Sequence, residues 1–241
     1  MAKANNNAYV GGELDLFALA VNWKRYLKAE IENYLIGDVL EVGAGIGGTT
    51  TALHDGHARR WFCLEPDYQQ ARRLRATTTE RAGTPVPRVV VGSLEALAQR
   101  ASFDCVLYID VLEHILDDKG EVEAAGRLVR VGGHIVVLSP AHRWLFSEFD
   151  RKIGHLRRYN RLQLRSLMPK GWVEKKLNYL DSFGVLLSLG NVVVLRKAMP
   201  SPFQITLWDR VFVPCSRIAD RLLQGNFGKS VLAVWRKESS A

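Results

Sequence analysis

The stretch that most constrains this chain is Asp38 to Thr50, DVLEVGAGIGGTT. A short run of apolar strand formers ends in glycines at Gly43, Gly45, Gly47 and Gly48 and passes into small hydroxyl residues. A Gly-rich turn between a parallel strand and a helix lets the backbone approach a ligand closely and presents the free N–H groups of the helix N-terminus. Gly43, Gly45 and Gly48 fit the G-x-G-x-x-G spacing, and Glu65 lies about 20 residues further on, where an acid can grip ribose hydroxyls. Taken alone, the pattern is satisfied by NAD or by another adenosine-containing cofactor.

The rest of the chain supplies a frame for that turn. From Glu13 to Leu35 apolar residues recur at helical spacing without Gly or Pro, which predicts one amphipathic helix as an N-terminal cap. Then strands at 38–42, 60–65, 88–91, 104–109 and 134–138 alternate with helices after Gly47, from Tyr68, from Leu94 and up to about Arg130. Val-, Ile- and Leu-rich strands alternating with helices predict an α/β fold: a Rossmann-like, doubly wound, mostly parallel seven-stranded sheet. After Pro140 the texture turns aromatic and basic, which reads as a lid loop over 141–159 that ends at a helix N-cap, Asn160. A helix (161–168), a strand (172–179), an apolar helical segment (182–196), an amphipathic one (203–223) and a last strand follow. The expected organisation is a cap at 1–36, a core of 37–180 and 227–241, and a C-terminal helical insertion at 181–226.

Composition narrows the classes. The 241 residues can bury the core of one such unit. The longest apolar run falls short of the roughly 18 residues that a membrane-spanning helix needs, and the start, MAKANNNAYV, has no signal-peptide core, so a cytoplasmic location is expected. Cys63 and Cys105 sit in strand-like runs and Cys215 in an apolar helical segment; all three read as packing, with no disulfide and no metal ligand set. The net charge of +8 is compatible with an anionic partner or simply with a basic solvated surface.

Four segments in order, LEVGAGIGGTT, WFCLEPD, VVVGSLEAL and FDCVLYIDVLEHI, followed by LVRVGGHIVVLSPA, resemble the class I S-adenosylmethionine-dependent methyltransferases over residues 38–140. The resemblance implies S-adenosylmethionine as cofactor and S-adenosylhomocysteine as product. It implies that Glu41, Gly43, Ala44, Gly45 and Gly47 border the methionine part of the cofactor. Glu65, beside Pro66, would take both ribose hydroxyls; its other reading is an exposed turn carboxylate. Ser93 and Leu94, after Gly92, would meet adenine, although Ser93 could equally cap a short helix. Asp110 and Val111 would line the crevice at the strand ends, with an N-cap for a helix over Val111–Ile115 as the alternative for Asp110. Glu113-His114 matches a frequent pair in the branch that includes ubiquinone-pathway enzymes, and His114 would face the methyl group or serve as a hydrogen-bonded core residue.

A hydroxyl acceptor needs a base, whereas a reactive amine or thiolate need not have one, and His114, His142 and His155 are the candidates. The lid offers Trp144, Phe146 and Tyr159 as acceptor contacts, while Arg157 and Arg158 could clamp an anion or form salt bridges. The Asn/Asp-Pro-Pro-aromatic motif of amine-directed relatives does not occur after the fourth strand, which argues against a nucleobase substrate. The insertion is expected to cover the acceptor site, with a dimer contact second and peripheral membrane contact third. The reading is therefore methyl transfer to a small-molecule or lipid- or sugar-linked acceptor, at oxygen, by a monomer or homodimer. An NAD-dependent oxidoreductase and a basic RNA-binding or RNA-modifying protein are the alternatives.

Overall fold

The computed structural model describes residues 12–78, 84–97, 102–190 and 199–239. Seven strands form one sheet: β1 Gly37–Val42, β2 Ala58–Glu65, β3 Arg88–Val91, β4 Phe103–Ile109, β5 Val129–Pro140, β6 Trp172–Leu180 and β7 Ser230–Lys237. Their order is β3-β2-β1-β4-β5-β7-β6. The first five pair in parallel, and β7 runs antiparallel between β5 and β6. Chain order reverses direction across the sheet between β1 and β4, and ligands bind at such a switch point, outside the strand C-termini.

Side chains alternate across the strands, so each face builds its own core. Val39, Cys63, Cys105, Leu107, Val136, Leu138, Leu232 and Val234 pack on one face under the N-terminal helices and the insertion. Leu40, Leu64, Val106, Tyr108, Ile135, Val137, Ala233 and Trp235 pack on the other, with Val122 and Ala125 of α5 (Asp118–Leu128) and Leu164 of α7 (Arg161–Ser166). Strands covered on both sides lose the polar alternation of half-exposed ones, which is why they read as unbroken apolar runs.

Several expectations need correction. The single helix over 13–35 is two, α1 Gly12–Ala18 and α2 Val21–Ile31, followed by a 3-10 turn at Glu32–Tyr34. Ala20 leaves helical geometry there, and the Asp209 carboxylate, from the far end of the sequence, accepts from the amides of Asn22 at 3.1 Å and Trp23 at 2.9 Å. A tertiary cap thus overrides local propensity. The helix expected over Val111–Ile115 is a 3-10 turn, Leu112–His114; Val111 holds its cap position and Asp110 has φ 55°, so Asp110 is not an N-cap. The lid is not plain loop. It contains a 3-10 turn at Arg143–Leu145 and α6 Glu148–Lys152, which opens on a capping box of Ser147 and Asp150.

Helices α3 (Gly48–Leu53) and α4 (Tyr68–Thr77) follow β1 and β2. In the insertion, α8 covers Ser182–Gly190, and residues 191–196 of the expected 182–196 segment lie outside the described residues. Then α9 Pro202–Leu207, a π-helical turn Trp208–Phe212 and α10 Val213–Leu222 form one continuous helical run. Pro214 has no N–H to donate back into the preceding turn, which accounts for the widened turn before it. Cys63 and Cys105 are buried as expected, but Cys215 is exposed, because α10 turns that face away from the sheet.

Candidate active site

The loops that leave β1 and β4 meet at the switch point. Gly43 has φ 68°, and a Cβ there would stand 2.7 Å from Cγ2 of Val111, so the first loop crosses the second only because residue 43 has no side chain. Gly47, at φ 85°, would place a Cβ 2.5 Å from Leu74 of α4 while it starts α3. Two of the loop's glycines therefore answer to neighbouring protein and keep the loop low at the crevice.

Glu65 ends β2 and is buried; its Oε2 accepts from the Gly45 amide at 2.8 Å and its Oε1 from the Asp67 amide at 2.9 Å. Burial raises its pKa against these two bonds. This excludes the exposed turn carboxylate and sets an anionic acceptor at a strand's C-terminal end, between the glycine loop and the loop that carries Pro66. Ser93 is exposed and its side chain caps nothing, while Leu94 beside it is buried. Asp110 keeps solvent access in the cleft, yet the protein crowded around its carboxyl pushes its pKa up to about 6, opposed by the charges of His155, Lys229 and Arg158. The bare glycine loop, a strand-end carboxylate, an exposed hydroxyl and a second acid at the crevice fit the polar surface of S-adenosylmethionine.

Glu41 turns the other way. It is buried in the protein, where its Oε2 accepts from Thr50 Oγ1 at 2.7 Å and Trp61 Nε1 at 2.9 Å, and burial pushes its pKa up to about 7. It ties β1 to α3 beneath Ala44, itself buried, and supports the glycine loop from below.

The lid brings a second group of residues to the mouth of the crevice. Asp150, fully buried, accepts from His155 Nδ1 at 2.8 Å and from Arg158 in a fork, Nε at 2.9 Å and Nη2 at 3.0 Å. These partners and the Ser147 amide hold its carboxyl well below the usual range despite burial. The far nitrogen of His155, Nε2, lies 3.7 Å from Oε1 of buried Glu113, an oxygen with no hydrogen-bond partner among the described residues; Oε2 takes the Ser139 hydroxyl at 3.1 Å. Burial first, then the Asp110 charge, raise the Glu113 pKa well above normal. His114 packs edge-on to His155 with ring centroids 4.7 Å apart, and burial and the His155 charge lower its pKa to about 4. Glu113, His114 and His155 can each place one ligand atom within 4.8 Å of the others, a set able to hold a cation that sequence spacing does not disclose.

The other lid residues fill different places. His142, at φ 64°, stacks against Tyr179 at 4.6 Å and Trp144 at 5.4 Å, away from the His114–His155 pair, and burial lowers its pKa. Trp144 is exposed, and Phe146 lies under the Arg151 guanidinium at 5.6 Å. Arg157 binds Asp118 at 2.7 Å and Arg158 binds Asp150, so the salt-bridge reading describes this pair and no shared anion clamp forms. Tyr159 is buried, its hydroxyl on Asp118 at 2.6 Å and on the Leu112 carbonyl at 3.2 Å, and its backbone bridges to Ala141; it fastens the lid. Asp150, which joins His155 to Arg158, is not singled out by the sequence. Its signal was Ser147-x-x-Asp150, which marks a helix start but not the His155 contact.

Residues 40–137 match a family described as methyltransferase domain. A ubiquinone biosynthesis O-methyltransferase of Paracidovorax citrulli (strain AAC00-1) is 36 % identical over 101 residues, which are 40 % of this chain and 41 % of that protein. The match thus spans less than half the length of the curated relative. Among solved structures, the [4+2]-cyclase SpnF superposes with a TM-score of 0.62 at 14 % identity, covering 96 % of each chain. The N-methyltransferase NodS of Bradyrhizobium japonicum WM9, in complex with S-adenosyl-L-homocysteine, gives 0.57 at 12 %, over 97 % of this chain and 90 % of that one. At such identities the structural neighbours speak for the fold alone, and a cyclase among them shows that the fold carries more than one chemistry. The glycine loop, the carboxylate at the end of β2 and the match over β1 to β5 come together in one conclusion: residues 40–137 are similar to the methyltransferase domain family, on a sheet with the strand order β3-β2-β1-β4-β5-β7-β6.

Proposed function

We propose that this protein methylates an oxygen atom of a small-molecule or lipid- or sugar-linked acceptor, with S-adenosylhomocysteine as the other product. The observation that carries the choice of oxygen is the Asp150–His155 pair. An alcohol or phenol must lose a proton as it attacks, and a histidine whose Nδ1 is held by a buried carboxylate is built to receive one at Nε2. The similarity to an O-methyltransferase points the same way.

In this reading Glu65 and the bare backbone of the glycine loop seat the cofactor, Ser93 and Leu94 border its adenine, and Asp110 and Val111 face its reactive end. The cofactor supplies a methyl group already activated on a sulfonium. The chain's own task is to hold the acceptor oxygen in line, exclude water and take the proton. His155 Nε2 accepts that proton, and Asp150, held ionised by Arg158, balances the imidazolium. His114, held neutral by burial, walls the same space without adding charge. Trp144 stands at the rim as an aromatic face for the acceptor.

The test uses labelled S-adenosylmethionine and cell extract. Calorimetry is expected to show binding of both cofactor forms, and label is expected in the lipid or small-molecule fraction as a methyl ether. Label in RNA or protein would overturn the acceptor class. His155→Gln is expected to lower transfer about 100-fold or more with cofactor affinity intact. Transfer at the original rate would remove His155 as the base.

A further inference from the structure

The run from α9 through α10 buries Ile205, Trp208 and Val213 in the core and is apolar on its outer side as well. Its sheet-facing side carries polar groups: Asp209, which caps α2; Ser216, whose hydroxyl donates to Asp181 at 2.7 Å; and Asp220, which accepts from Tyr26 at 2.9 Å and from the amides of Asp181 at 2.6 Å and Ser182 at 3.0 Å. Its outward side carries further apolar residues. Phe203, Ile218 and Leu222 are 73 %, 65 % and 80 % exposed, and Leu207, Val211 and Cys215 complete the stripe between them. A helix on a water-facing surface carries polar residues on its outer side instead.

The stripe borders a groove of about 350 Å³ lined by Phe183, Leu186, Leu222, Leu223 and Phe227, and exposed Leu186, Leu187 and Leu189 of α8 extend the apolar surface. The Phe227 ring lies 6.1 Å from His142 in the lid, so the groove leads toward the active-site rim. No helix among the described residues is long and apolar enough to cross a bilayer.

Charge identifies the occupant. Residues 181–229 contain three acids, Asp181, Asp209 and Asp220, and all three are buried in the network just described. The bases of this run include Arg210 and Arg221, which are exposed, and Arg217 and Lys229, which are half-buried. The outer surface of the insertion thus offers apolar side chains and positive charge with no exposed acid. Two copies pressed together through this face would set arginines against arginines. A bilayer with anionic headgroups matches both features, taking the apolar stripe into its acyl boundary and the arginines at its phosphates.

We propose that the outer face formed by α8 and the α9–α10 run docks on an anionic membrane surface, with the groove open to an acyl chain. The inference is independent of the methyl acceptor and needs no cofactor to test. Co-sedimentation of the full chain with phosphatidylcholine vesicles, with and without phosphatidylglycerol, is expected to show binding that falls at least about tenfold without the anionic lipid or in high salt. The double variant Ile218→Asp, Leu222→Asp is expected to lose binding, as is Arg210→Glu, Arg221→Glu, with circular dichroism and S-adenosylmethionine affinity unchanged because all four side chains are exposed. Absence of binding to either vesicle, equal binding to both, or binding indifferent to the variants would overturn the proposal. So would a dimer in sedimentation equilibrium that Leu222→Asp dissolves, which would give the face to a second copy.

Discussion

Glu65 and Glu41 stand on adjacent strands of one sheet and illustrate how placement divides the work of two carboxylates. Glu65 ends its strand and meets two backbone amides at the crevice. On its proposed role at the ribose, Glu65→Ala is expected to lower cofactor affinity at least about tenfold by calorimetry, because a charge-assisted grip is lost; unchanged affinity would refute the assignment. Glu41 lies four residues into β1 with no solvent, and its pKa of about 7 compares with an ordinary 4.5. The folded state then keeps a proton that the unfolded chain releases above pH 4.5, so stability is present in acid and is lost as pH rises toward 7, by roughly 3 kcal/mol over the interval. Glu41→Gln keeps an oxygen for Thr50 and Trp61 and cannot ionise. Denaturant unfolding across that range is expected to show a flatter profile for the variant, and parallel profiles would dismiss the charge at Glu41.

Among the elements, α2 depends on a residue nearly the whole sequence away. Asp209 caps it through the amides of Asn22 and Trp23, and Tyr26 reaches Asp220 from its next turn. Asp209→Ala leaves two buried amide donors without their acceptor and is expected to cost about 1–2 kcal/mol, read as a lowered Tm, with cofactor affinity little changed. A Tm equal to the parent's would show that α2 caps itself. This clasp also explains where sequence reading stopped. The strands from β1 to β5 announce themselves because each is buried on both faces, and Asn160 announces α7 because its cap is local: its side chain takes the Gln163 amide three residues on. The break at Ala20 depends on Asp209, a partner brought close only by folding, and spacing carries no trace of it. Likewise, Arg157 and Arg158 looked like a clamp while their acids, Asp118 and Asp150, remained unplaced.

At the scale of the molecule, the sheet is parallel up to β5 and is closed by a strand drawn from the far end of the chain. β7 lies between β5 and β6, bonded to both along nearly its whole length. A chain ended at Lys229 keeps the cofactor strands and gives up the partner of two others. It is expected to keep far-UV helical signal while losing near-UV signal from Trp172, which is buried in the same core as residues of α5 and α7. During synthesis β6 emerges with no strand to pair with and waits for about 50 more residues, several seconds at ordinary ribosome speeds. For that interval both β5 and β6 present bare edges, the geometry that invites chains on neighbouring ribosomes to pair with one another. Crowded translation would therefore penalise this protein before it has folded, and slower initiation of its message would raise the yield of native enzyme.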